Sequence, residues 1–113
     1  MAQLWMIERD VADWTDGDVA AAGIRAKMCV LWYPNMEWQR SFYDRDGERL
    51  LCVYRAESEA DIRTHALAAG LPCGVVLPVD EVLPSDLDEP TPEQVAEHAL
   101  AEGRPALKVG DGA

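Results

Sequence analysis

Base is scarce in this sequence relative to acid. Lys and Arg number 10 against 21 Asp and Glu over 113 residues, a formal net charge of −11. That excess repels phosphate, which argues against nonspecific DNA or RNA binding and against anionic membrane surfaces. No apolar run approaches the roughly 18 residues of a membrane span. The opening MAQLWMIERD meets acids too soon to read as a secretory signal. The three cysteines, Cys29, Cys52 and Cys73, form no CxxC pair. An odd count without a secretory segment argues against a disulfide framework and for a reducing cytoplasm. No GxGxxG, P-loop, GxSxG or HExxH occurs, so nucleotide cofactors and the familiar hydrolases lack support.

What is present points to one folded domain with an appendage. A length of 113 residues, 49% of them apolar and 27% charged, is ordinary for a single globular domain. The charge is unevenly spread. Residues 84–113 carry seven acids and two bases, a net of −5, against −6 over residues 1–83. This last stretch is poor in large apolar residues and contains Glu89-Pro90-Thr91-Pro92. The expected organisation is therefore a domain over 1–83 and an acidic C-terminal extension over 84–113.

Patterning within the domain alternates strand and helix. Gln3 to Glu8 reads as a short strand. Thr15 or Asp16 can cap a helix over 16–28, with Val19, Ala22 and Ala26 at helical spacing. Cys29 to Asn35 leaves three options open: a helix end, a short strand or a binding loop. From Met36 to Asp44, alternation places Met36, Trp38, Arg40 and Phe42 on one face of a strand. Asp46-Gly47 then marks a hairpin turn into a strand over Glu48 to Ala56. Ser58 and Asp61 cap a second helix, which Gly70 and Pro72 stop. Gly74 to Val82 reads as a last strand, with Pro78 placing it at an edge or bulge.

The order βαββαβ is that of an α+β, ferredoxin-like domain: an antiparallel sheet with two helices on one face. Trp5, Ile7, Leu51 and Val53 are expected on one sheet face and Leu4, Met6, Leu50 and Cys52 on the other. Neither set suits open water, so a homodimer through the uncovered sheet face is expected. In the extension, Thr91-Pro92-Glu93 starts a short helix that ends at Gly103.

Four segments together carry a family likeness: Met6-Ile7-Glu8-Arg9-Asp10, Trp38-Gln39-Arg40-Ser41-Phe42-Tyr43, Cys52-Val53-Tyr54-Arg55-Ala56, and His65 through Pro72. Over residues 4–83 the chain resembles small bacterial proteins of a domain-of-unknown-function family, with a nickel-binding member and a ferredoxin-like dimeric fold. The resemblance implies that fold and the dimer, and brings in nickel or another divalent transition metal as a cofactor. Related dimeric α/β barrels use the cavity between sheet and helices for hydrophobic small molecules, which gives the alternative of a small enzyme or carrier.

Several residues are candidates for either role. His65 reads as a partly exposed helix histidine or as a metal ligand or base. Cys52 reads as a small buried hydrophobe or as a thiolate ligand beside it. Strand alternation puts Tyr54 on the face of Cys52, so Cys52, Tyr54 and His65 would line one cavity if that face meets the helix. Glu8, Arg9 and Asp10 read as a solvated charge cluster, or Glu8 as a third metal ligand. Arg40 and Arg55 stand on the hairpin, to pair with an anionic group or with Glu8. Trp32, Tyr33, Trp38, Phe42 and Tyr43 fall within twelve residues. They read as core and interface packing, or, with Trp38, Arg40, Phe42 and Tyr54, as the walls of a small-molecule pocket. His98 has no assigned role.

Overall fold

A computed structural model describes residues 2–103. The strands are β1 (Gln3–Asp10), β2 (Glu37–Asp44), β3 (Arg49–Ala56) and β4 (Val76–Val79), and the helices are α1 (Asp16–Val30), α2 (Glu59–Ala69) and α3 (Pro92–Glu102). The fold is α+β. Its four strands form one antiparallel sheet in the order β2-β3-β1-β4. The chain divides into two units, one ending at Glu81 and one starting at Val82. The end of the expected acidic extension, residues 104–113, lies outside the described residues.

Local chemistry sets the element ends. Thr15 caps α1 through a reciprocal pair: Asp18 N–H donates to Thr15 Oγ1 at 3.1 Å, and Thr15 N–H donates to Asp18 Oδ2 at 2.9 Å. Ser58 caps α2 by accepting from Asp61 N–H at 3.1 Å, and Gly70 closes that helix at φ 67°. A left-handed residue is needed there to bring the last carbonyls back to backbone donors, and glycine adopts it without a Cβ clash. Of the three options for Cys29 to Asn35, a helix end is what forms. Tyr33 N–H donates to Val30 O at 3.0 Å and Met36 N–H to Tyr33 O at 3.0 Å, a run of turns that winds α1 down before β2.

The hairpin forms, and Asp46-Gly47 lies within its turn. Arg45 to Glu48 make a four-residue loop, and the left-handed residue is Glu48, at φ 53°. Gly47 is required for space instead: Asp44 Oδ1 accepts its N–H at 2.9 Å, so close that a Cβ would collide with that carboxylate. β4 is shorter than expected, four residues, because Gly74 and Val75 join β1 only by single hydrogen bonds to Glu8 before the ladder starts.

The expected face assignment needs correcting. Ile7 stands opposite Cys52 and Met6 opposite Val53. Directly opposed residues share a face. Trp5, Ile7 and Arg9 therefore lie with Leu50, Cys52 and Tyr54, while Leu4, Met6 and Glu8 lie with Leu51 and Val53. The first face packs under α1 and α2, and the core gathers Ile7, Cys52, Tyr54, Ala56, Ile62 and Val76. Each large apolar side chain buried there contributes about 1.5–3 kcal/mol. Arg25 of α1 donates to Ala69 O of α2 at 2.8 Å and ties the two helices together.

Candidate functional site

Three strands and a helix build the most distinctive interior feature. A cleft of about 70 Å³ lies between the sheet and α1, walled by Val19, Ala22, Gly23 and Ala26 on one side and Trp38, Leu50 and Tyr54 on the other. Small residues on α1 leave this space, because alanine and glycine do not reach the sheet. Arg9, Ser41 and Cys52 bring polar atoms to its wall.

Arg9 is 2% exposed, although the sequence places it in a charged triplet. Period-two alternation from Trp5 through Ile7 carries it to the covered face, and that signal was legible in β1. Its Nε donates to Cys52 Sγ at 3.4 Å and its Nη1 to Pro72 O at 2.8 Å. Its Cζ lies 5.8 Å from the centre of the Tyr54 ring, within cation–π range. Nη2 is buried without a hydrogen-bond partner. Glu8, the preceding residue, projects to the opposite face and meets Arg49 at 3.5 Å.

Tyr54 is the centre of an aromatic stack. Trp38 lies parallel to it at 6.2 Å between ring centres, and the Trp38 indole donates to Ser41 Oγ at 2.9 Å. Burial pushes the Tyr54 hydroxyl up to about 12, with the Arg9 charge opposing that rise. The phenol therefore keeps its proton and remains a donor.

His65 is fully buried, not partly exposed. It joins Ile62, Ala66 and Ala69 in the stripe that α2 turns inward. Its ring lies 5.4 Å from that of Tyr54 and 5.9 Å from that of Tyr33. Nε2 is 3.1 Å from Ala26 O, and because a carbonyl only accepts, that nitrogen carries the hydrogen. Burial lowers the His65 pKa below its ordinary value, the Ala26 contact works against this, and the Arg9 charge adds to the lowering. Cys52 and Tyr54 thus line the cleft, and His65 backs Tyr54 from behind.

The other expected site residues lie elsewhere. Arg40 and Phe42 are carried away from Trp38 by a bulge: Trp38 stands opposite Tyr54, but Arg40 stands opposite Val53, so Gln39 is an extra residue and alternation resets. Arg40 pairs with Glu81 at 3.4 Å, and Phe42 is 55% exposed on the outer face. The aromatic cluster is split likewise, with Trp32 83% exposed.

Glu8, Cys52 and His65 do not converge. Among the described residues no group of three or more His, Cys, Asp and Glu side chains is placed to hold a metal ion. A cation in the cleft would also face the Arg9 guanidinium. One chain's candidate ligands therefore do not fit a nickel site.

The family description "Nickel responsive protein SCO4226-like" matches residues 5–79. The chain belongs to this family. Its fold is similar to the crystal structure of SCO4226 from Streptomyces coelicolor A3(2), with a TM-score of 0.63 at 14% identity, covering 71% of this chain and 99% of that one. No curated protein matches. The SCO4226-like match spans the whole cleft wall, from Arg9 through Trp38 and Tyr54 to Leu71. No helix among the described residues is long and apolar enough to cross a membrane.

Proposed function

We propose that this SCO4226-like protein works by binding a small ligand in the cleft between the sheet and α1. The observation that carries the reading is the cleft's composition: apolar walls that gather one buried guanidinium, a thiol and a protonated phenol. Such a mixture of apolar surface and a few convergent polar groups is what small-molecule sites are made of. Its volume limits the ligand to a few non-hydrogen atoms, since a water in the liquid occupies about 30 Å³. NMR titration of the ¹⁵N-labelled protein with short-chain alcohols and acids tests it. The Trp38 indole signal and the amides of Ala22 and Ala26 should shift in a saturable way; if they stay still with every probe, the reading fails.

The family match favours a second reading, nickel response. Because among the described residues one chain does not gather three donors, this reading draws ligands from a second copy, in a homodimer formed through the outer sheet face. Phe42 and Leu77, both more than half exposed on that face, support the dimer. The strand order β2-β3-β1-β4, with α1 and α2 on one face, supports a ferredoxin-like assignment. Free Cys29, Cys52 and Cys73 support a reducing cytoplasm, and the net charge of −11 supports partners other than nucleic acid. Calorimetric titration of the chelator-stripped protein with Ni²⁺, Zn²⁺ and Cu²⁺ tests the metal. Fewer than one nickel ion per chain, unaffected by His65→Ala, is the expected result, and absence of a nickel heat would sink it.

A further inference from the structure

We propose that the ligand of the cleft is a small monocarboxylate, whose carboxylate pairs with Arg9 and whose short apolar tail lies along Trp38, Leu50 and Ala22. This rests on the cleft being the working site. The chain has 21 acidic residues, yet among the described residues none forms a salt bridge with Arg9. Its neighbours in β1 are turned to other tasks: Glu8 meets Arg49 on the outer face, and Asp10 Oδ1 accepts the Ala12 N–H at 3.0 Å.

A buried charge is stabilised by an opposite charge and by hydrogen bonds that use all its donors. Arg9 has neither in full. A thiol sulfur is a weak acceptor for Nε, the Pro72 carbonyl serves Nη1, and Nη2 is left with nothing. Arg9 stands on the wall of the cleft, so a carboxylate bound there supplies the missing opposite charge. The planar guanidinium matches the planar carboxylate.

The rest of the lining selects within anions. Every other residue of the wall is neutral, so one cation is available and a monoanion balances it. The Tyr54 phenol, on the same wall, remains a donor. About 70 Å³ is the room of about two waters at roughly 30 Å³ each, which restricts the ligand to a short-chain carboxylate.

The test titrates the full-length ¹⁵N-labelled protein with sodium butyrate, with 1-butanol as its uncharged counterpart and with sodium phosphate, following the Trp38 indole and Arg9 Nε signals. Butyrate should bind at least about tenfold more tightly than butanol, and it should move the Arg9 Nε signal. Arg9→Met should bring butyrate down to the level of butanol. Equal binding of butyrate and butanol overturns the carboxylate while leaving the cleft as a ligand site; no binding of either overturns both. Tighter binding of phosphate than of butyrate overturns the carboxylate as well. Should Arg9→Met not fold, the wild-type Arg9 Nε signal decides, and its failure to move at butyrate saturation overturns the proposal.

Discussion

Glu8 and Arg9 are adjacent in β1, yet one meets Arg49 with nearly half its side chain in water while the other is carried under α1 and α2 at 2% exposure. The outer face of the sheet holds its charges in shared clusters. Arg49 lies between Glu8 at 3.5 Å and Asp44 at 3.1 Å, and Arg40 reaches Glu81 at 3.4 Å. Water and salt screen these pairs, and each is worth about 0–1 kcal/mol. The inner face holds one cation without a carboxylate, among aromatic rings and a thiol. Screening is weak there: burial lowers the pKa of His65, and the Arg9 charge adds to that lowering. Two faces of one sheet thus hold the same residue types in different settings: paired and half in water outside, buried without a carboxylate inside.

Substitutions on the two faces should separate in size. Tyr54→Ala removes the ring on which Trp38, His65 and Arg9 all rest. It should cost about 3–5 kcal/mol in urea denaturation, the usual toll for a large buried aromatic. A loss below about 1 kcal/mol would mean that the inner face is not the tightly packed one.

His65 sharpens the comparison through pH. Its folded pKa lies below 6.5, so the folded state binds the proton less readily than the unfolded chain. Its contribution is therefore complete above about pH 6.5 and is lost as pH falls from there toward the lower folded value. The urea midpoint should drop as pH falls below about 6.5, and His65→Gln should flatten that drop. An equal drop in the variant would assign the titration to other groups. At neutral pH, His65→Ala should cost about 1–3 kcal/mol for the Ala26 hydrogen bond and the lost packing.

The smallest effect belongs to the outer face. Arg49→Gln should change stability by no more than about 1 kcal/mol, and by less still in high salt. A larger, salt-insensitive loss would show that the outer face is covered in the working protein, as the proposed homodimer requires.

Much of this architecture was legible because it is local. Thr15, Ser58 and Thr91 cap their helices through side chains that reach only three residues ahead, and Gly70 and Gly103 end theirs in the left-handed conformation. The hairpin between β2 and β3, and the order of the elements, follow from turn residues and periodicity in the same way. The pairing of Cys52 with Tyr54 on one face also held, since alternation within an unbroken strand is a property of the backbone itself.

What was hidden depended on partners far along the chain. The bulge at Gln39 sends Arg40 and Phe42 away from Trp38, and nothing in Glu-Trp-Gln-Arg announces it, because a bulge is a mismatch between two strands. The register of β1 against β3 decided that Ile7 faces with Cys52 and not with Val53. The burial of Arg9 required α1 and α2 to close over that face, with Cys52 and Pro72, 43 and 63 residues away, supplying its acceptors. The sequence by itself determined the order of the elements and their caps, since each is set by interactions within a few residues. Only the tertiary structure decided which charge is buried and which side chains share the cleft, because register and helix packing act between segments whose spacing no local pattern encodes.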